Sequence, residues 1–166
     1  MWLFDSLSYI RKKWHSIKFH CKFAFIESNY IFYQPNPKNY LIGDCTLRAY
    51  CKIENITWEQ AFDIAAKIAK KNAVMMDDTN CVDDVLKSLH YKYIPYTEKT
   101  IIYLDELVRL VPDFKYIADA DDHIIAVENG KYYDTYDSGN KKINGIYIKS
   151  KFLDKFKTKY NKYFPI

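Results

Sequence analysis

Glycine and proline are scarce, at 4 and 5 of 166 residues, so the chain has little material for flexible linkers. Hydrophobic residues make up 49%, which excludes a disordered chain and supplies one sizeable core. No apolar run approaches the roughly 20 residues needed to cross a bilayer, so no transmembrane segment is expected. There is no secretory leader pattern, and the cysteines Cys21, Cys45, Cys51 and Cys81 form no Cys-x-x-Cys pair. Reduced thiols and a cytoplasmic location are therefore expected. Cys45 and Cys51 point to different sides of a helix, and His15, His20 and Cys21 lack a fourth zinc ligand. Neither a metal nor another cofactor is expected.

Tyrosine and phenylalanine, by contrast, number 16 and 10, a bias that an A- and T-rich genome accounts for as well as any function does. The formal charge is +4, unevenly spread. Lysines dominate from Lys141 to Lys162, where Asp154 is the single acid, whereas Asp119, Asp121 and Asp122 make the centre acidic. The basic stretch reads as a solvated amphipathic helix over 151–166. No nucleic-acid motif accompanies it, so nucleic acid is not the expected partner. Leu3, Leu7, Ile10, Trp14 and Ile17 form a helical stripe beside Arg11, Lys12 and Lys13. Such a stripe packs onto its own domain or docks on a partner protein or a membrane surface.

Phe19 to Ile26 and Tyr30 to Tyr33 read as a hairpin, closed by Gln34-Pro35-Asn36-Pro37. Residues 1–36 are then an N-terminal appendage and 37–150 the main domain. Helices are expected from Thr46 to about Lys52, after the capping-box pattern Thr57-Trp58-Glu59-Gln60, from about Cys81 to Leu89, and from Leu104 to Leu110. Strands follow at Tyr116 to Ala118, His123 to Val127, Lys131 to Tyr136 and Ile143 to Ile148. Glu128-Asn129-Gly130-Lys131 is a hairpin signal, since Asn-Gly suits the positive φ angles of a type I′ turn. Helices first and an antiparallel sheet second make an α+β domain.

Cys45 sits where a loop becomes a helix, and the unpaired amides of a first helical turn favour a thiolate. A thiol nucleophile needs an imidazole to carry its proton and a polar group to orient that imidazole. His123 is the candidate base, and an aspartate of Asp134-Thr135-Tyr136-Asp137 the candidate orienter. A two-residue turn puts His123 opposite Tyr136 and Asp134 on the histidine's face; a three-residue loop puts Asp137 there instead. Both registers stand at this point. Arg48, on the Cys45 helix, most simply pairs with a carboxylate. Asp119, Asp121 and Asp122 precede the candidate base and either raise the His123 pKa or form a solvated loop.

The runs Gly43-Asp44-Cys45-Thr46-Leu47-Arg48-Ala49, Thr57-Trp58-Glu59-Gln60-Ala61, His123-Ile124-Ile125-Ala126-Val127-Glu128-Asn129-Gly130 and Tyr133-Asp134-Thr135-Tyr136-Asp137-Ser138 together resemble the papain-like cysteine peptidase superfamily. The resemblance is to its small, often phage-encoded members, and it covers roughly residues 40 to 150. It implies a papain-like fold, a peptide or protein substrate, Cys45 as nucleophile, His123 as general base, and Asp137 at the position of the family's Asn or Asp after the hairpin. Members with their third group inside the hairpin strand match Asp134. For a phage protein the location implied is the host cytoplasm or the virion. The chain departs from the family at the Gln that precedes the cysteine. Asn39 is the nearest amide and Gln34 lies further upstream, so the oxyanion donor is Asn39 or the Cys45 backbone N–H. The expected function is a thiol hydrolase, a peptidase or isopeptidase/amidase working through a Cys45 acyl-thioester. The alternative is a catalytically silent fold serving as a viral structural or host-interaction protein.

Overall fold

A computed structural model describes residues 28–97 and 101–164. The N-terminal stripe, the segment Phe19 to Ile26, and His15, His20 and Cys21 lie outside the described residues. Among those described, five α-helices and a six-stranded mixed sheet make an α+β architecture. The strands are β1 (Tyr30–Phe32), β2 (Tyr91–Pro95), β3 (Tyr116–Ala120), β4 (His123–Glu128), β5 (Lys131–Asp134) and β6 (Ile143–Lys149). Their order across the sheet is β1-β5-β4-β3-β6-β2, antiparallel except for the β1–β5 pair.

Helices cover both faces of the sheet. On one face lie α1 (Cys45–Glu54), α2 (Trp58–Asn72) and α3 (Thr79–Ser88), whose buried Leu47, Tyr50, Ala61, Ala65, Val85 and Leu86 pack on Ile117, Ala126 and Tyr147. On the other lie α4 (Leu104–Leu110) and α5 (Leu153–Tyr160), whose Leu107, Val108 and Phe156 pack on Tyr116, Ala118, Ile125, Val127, Ile146 and Ile148. Alternate residues of the central strands thus enter alternate cores, as the period of a strand requires.

Local chemistry accounts for the helix boundaries. Thr57 and Gln60 form the complete capping box that opens α2, which ends at Ala73 in the left-handed region. Asn55 closes α1 in the same conformation. The β4–β5 turn is two residues long, with Asn129 at φ 53° and Gly130 at φ 68°, and pairs Glu128 with Lys131.

Two expectations change. Tyr30–Phe32, assigned above to an appendage ending at residue 36, is the edge strand of the sheet and runs parallel to β5, with Tyr30 opposite Tyr132. Tyr91–Pro95, where no strand was expected, forms the opposite edge. Its two exposed central residues, Lys92 and Tyr93, break the alternation that marks a strand, and Pro95 is tolerated because it lies on an edge. At the C-terminus α5 is short and follows a 3-10 turn, Ser150–Phe152; its apolar side, Phe156 and Tyr160, is buried while Lys155 and Lys159 face solvent.

Candidate active site

Cys45 is the first residue of α1, with Asp44 at the N-cap. The Asp44 carboxylate does not cap the turn. It accepts instead from the Arg48 guanidinium and, at 2.9 Å, from the Trp58 indole Nε1 at the start of α2. The first-turn amides therefore keep their partial positive charge beside the thiol. α1 lies across β4, which brings Cys45 to the strand's first residue, His123.

The His123 ring and the backbone N–H of Ile124 lie beside the thiol, close enough for both to favour its ionised form. His123 Nε2 lies 2.6 Å from Asp134 Oδ2, which leaves Nδ1 as the ring nitrogen that can serve the thiol. The other Asp134 oxygen, Oδ1, accepts from the Thr135 backbone N–H at 2.7 Å and from Arg48 Nη2 at 3.2 Å. His123, Asp134, Arg48 and Asp44 are all buried. Tyr136 stacks on the imidazole with ring centroids 5.3 Å apart, covering one face of it.

The electrostatics follow from these contacts. Burial is the largest influence on Cys45 and pushes its pKa up. The neighbouring His123 ring, the Ile124 amide and the charges of His123 and Arg48 outweigh it, so the thiol sits below its ordinary value. Burial likewise works against the His123 imidazolium, but the Asp134 hydrogen bond, the neighbouring thiol and the charges of both raise its pKa to about 9. Burial pushes Asp134 up and is outweighed in turn, mainly by His123, so its carboxyl lies below the ordinary range. The other described cysteines behave oppositely: burial raises Cys51 to about 11 and also raises Cys81.

Of the two aspartates proposed as orienter, Asp134 is the one against the ring. The two-residue turn sets the register that puts it there. Asp137 is instead turned towards Tyr132, accepting its hydroxyl, and takes the Gly139 N–H at 3.1 Å. Asn39 is not part of the site. It is exposed at φ 53°, in a turn where its N–H bonds Asn36 O at 2.9 Å. The Gln34 amide is occupied within the same loop, donating to Tyr40 O at 3.0 Å and accepting from Asn36 N–H at 3.1 Å. Asp121 accepts from the Lys142 N–H, while Asp119 and Asp122 line the cleft; the largest influences raising the His123 pKa are Asp134 and Cys45.

The pair opens into a cleft of about 850 Å³, walled by Leu41, Ile42 and Gly43 before Cys45, Thr79 and Val82 of α3, and Asn144 and Tyr147 of β6. Sequence reasoning missed the Ile124 N–H, the Tyr136 stack and the link from Trp58 to Asp44. Only the last left a trace, since Trp58 stands both in the capping-box pattern and in one of the runs that carry the family resemblance. Among the described residues no helix is long and apolar enough to cross a membrane. In comparisons with known proteins, no family model, no curated protein and no solved structure matches the chain.

Proposed function

We propose that the chain is a papain-like thiol hydrolase, cleaving a peptide, isopeptide or related amide bond through an acyl-thioester on Cys45. The observation that carries this reading is the half-buried Cys45 thiol set beside the buried, hydrogen-bonded His123–Asp134 pair in the wall of an open cleft. The Cys45 sulfur attacks the substrate carbonyl carbon. As the C–N bond breaks, His123 gives its proton to the leaving amine. Water then attacks the thioester, losing a proton to His123, and the carboxylate leaves as the Cys45 sulfur is released. Asp134 keeps the imidazole in one orientation and stabilises its charged form. With Asn39 exposed in its turn and the Gln34 amide engaged within the same loop, the Cys45 N–H at the uncapped start of α1 is the donor best positioned for the oxyanion.

Iodoacetamide labelling followed by peptide mass spectrometry tests the first chemical requirement. Cys45 is expected to react ahead of Cys21, Cys51 and Cys81 at neutral pH, and to lose that advantage in His123→Ala. Incubating the full chain with a proteome-derived peptide mixture then tests turnover, with new termini expected from the wild type and none from Cys45→Ala. Equal reactivity of all four thiols overturns the proposal. Selective labelling without new termini or released amines favours the silent structural or host-interaction protein.

A further inference from the structure

The buried Arg48–Asp44 pair has no step in the reaction above, yet it touches the orienting carboxylate. Arg48 is 5% exposed, Asp44 4% and Asp134 2%. The two buried carboxylates therefore share the guanidinium in place of water, and the guanidinium depends on both of them. The Arg48 guanidinium bridges the carboxylates: it donates to Asp44 Oδ1 and to Asp134 Oδ1, and to the Ile42 carbonyl at 3.3 Å. Asp44 is fixed in turn by the Trp58 indole. Arg48 Nε, also buried, has no partner among the described residues. A guanidinium held only for stability is poorly served by such a place, because a buried ion pair contributes little net stability and an unmet donor subtracts from it.

We infer that Arg48 and Asp44 are positioning residues: Arg48 clamps Asp134 Oδ1 so that Oδ2 is committed to His123, and Asp44, anchored by Trp58, holds Arg48 against it. The relay runs Trp58–Asp44–Arg48–Asp134–His123–Cys45, from the start of α2 to the nucleophile. Arg48 also lies close enough for its charge to favour the thiolate directly. The spacing of Asp44, Cys45 and Arg48 serves this arrangement, since residues i and i+4 share a helix face. The adjacent Cys45 can then turn towards β4 while the pair stays beneath it.

Opposite charges make the inference separable from a simple packing role. Besides His123 and Arg48, Tyr50 on α1 and Tyr136 after β5 are titratable groups that feel the charge of the thiol. Asp77, Asp119 and Asp122 line the cleft. None of these changes in the variants below. Arg48→Met removes a cation and leaves Asp44 and Asp134 facing each other, so the pH midpoint for Cys45 alkylation should rise by roughly one unit or more. At pH values below that midpoint, each unit leaves about tenfold less thiolate. Asp44→Asn removes an anion and should move the midpoint the other way. Arg48→Lys keeps the charge but not the fork that reaches both carboxylates, so it should restore the midpoint while hydrolysis stays reduced.

The measurement is the pH dependence of Cys45 alkylation in the full chain, with circular dichroism and thermal unfolding run on the same samples. The inference rests on the thiol hydrolase reading, and the experiment separates the two. A wild type without a His123-dependent low-pH reaction at Cys45 defeats that reading. If the wild type shows it and folded Arg48→Met and Asp44→Asn both keep its midpoint, the relay alone is overturned. Should Arg48→Met fail to fold, Asp44→Asn and Arg48→Lys decide: midpoints equal to wild type with undiminished hydrolysis in both reject it.

Discussion

At Cys45 two opposed influences meet, and the geometry decides between them. Burial alone would protonate the thiol and strip the imidazole of its charge, but His123, the Ile124 amide and Arg48 beside the thiol, and Asp134 and the thiolate beside the imidazole, reverse both outcomes. The signs fix a pH window. Cys45, with its folded pKa lowered, contributes stability that is present above its unfolded value and lost as pH falls through the folded one. His123, raised from 6.5 to about 9, contributes stability that is full below 6.5 and lost as pH rises through about 9. Hydrolysis is therefore expected to rise with thiolate formation on the acid side and to fall near pH 9, where the proton for the leaving amine is lost. Asp134→Asn removes the anion that raises His123, so the alkaline limb should move towards neutrality and kcat should drop on the order of a hundredfold or more. Asp137→Asn provides the control. It should leave the pH profile in place and cost about 1 kcal/mol of stability through its contacts with Tyr132 and Gly139, measured by chemical denaturation.

The β4–β5 hairpin is the element that chooses the third residue, and its turn is what holds the register. Gly130 at φ 68° sits where an L side chain is strained, so Gly130→Ala should cost about 1 kcal/mol, read as a lower denaturation midpoint. Activity measured on the remaining folded fraction should change little, because β5 is also pinned by β1 on its far side. This hairpin was legible in the sequence down to its two candidate registers, since Asn-Gly carries its own backbone preference and the alternation fixes faces. The choice between Asp134 and Asp137 was not legible. Motif likeness at Asp137-Ser138 pointed to one residue, whereas the backbone pairing of Glu128 with Lys131 delivers the other. The capping box at Thr57 was equally readable, because its hydrogen bonds are local. Strand β2 and the parallel pairing of β1 were not, because both are edge strands whose partners lie dozens of residues away and whose own side chains are half exposed. The failure of Asn39 as an oxyanion donor has the same origin: spacing from the cysteine counts residues, while the turn at Asn36 to Asn39 sends the amide outward.

On the scale of the molecule, the sheet divides two cores, and only one of them touches the site. Leu47 and Tyr50 of the Cys45 helix pack with the small alanines of α2 on one face, whereas Phe156, Phe114, Tyr160 and Phe164 form an aromatic cluster on the far face. That division predicts two distinguishable responses to cavities of similar origin. Phe156→Ala, at a fully buried position, should remove about 3–5 kcal/mol of stability, since an aromatic void in a close-packed core relaxes only partly. The folded fraction should still alkylate Cys45 with the wild-type pH profile, because the unbroken central strands separate the void from α1. Leu47→Ala should cost about 2–5 kcal/mol, and it lies in the first turn of the helix that carries the nucleophile. Loosening that turn should lengthen the Cys45–His123 contact and lower the alkylation rate at neutral pH even where the protein is fully folded. Paired measurements of denaturation midpoint and alkylation rate on the two variants distinguish the cores; equal effects on the rate would mean that the sheet does not insulate the site.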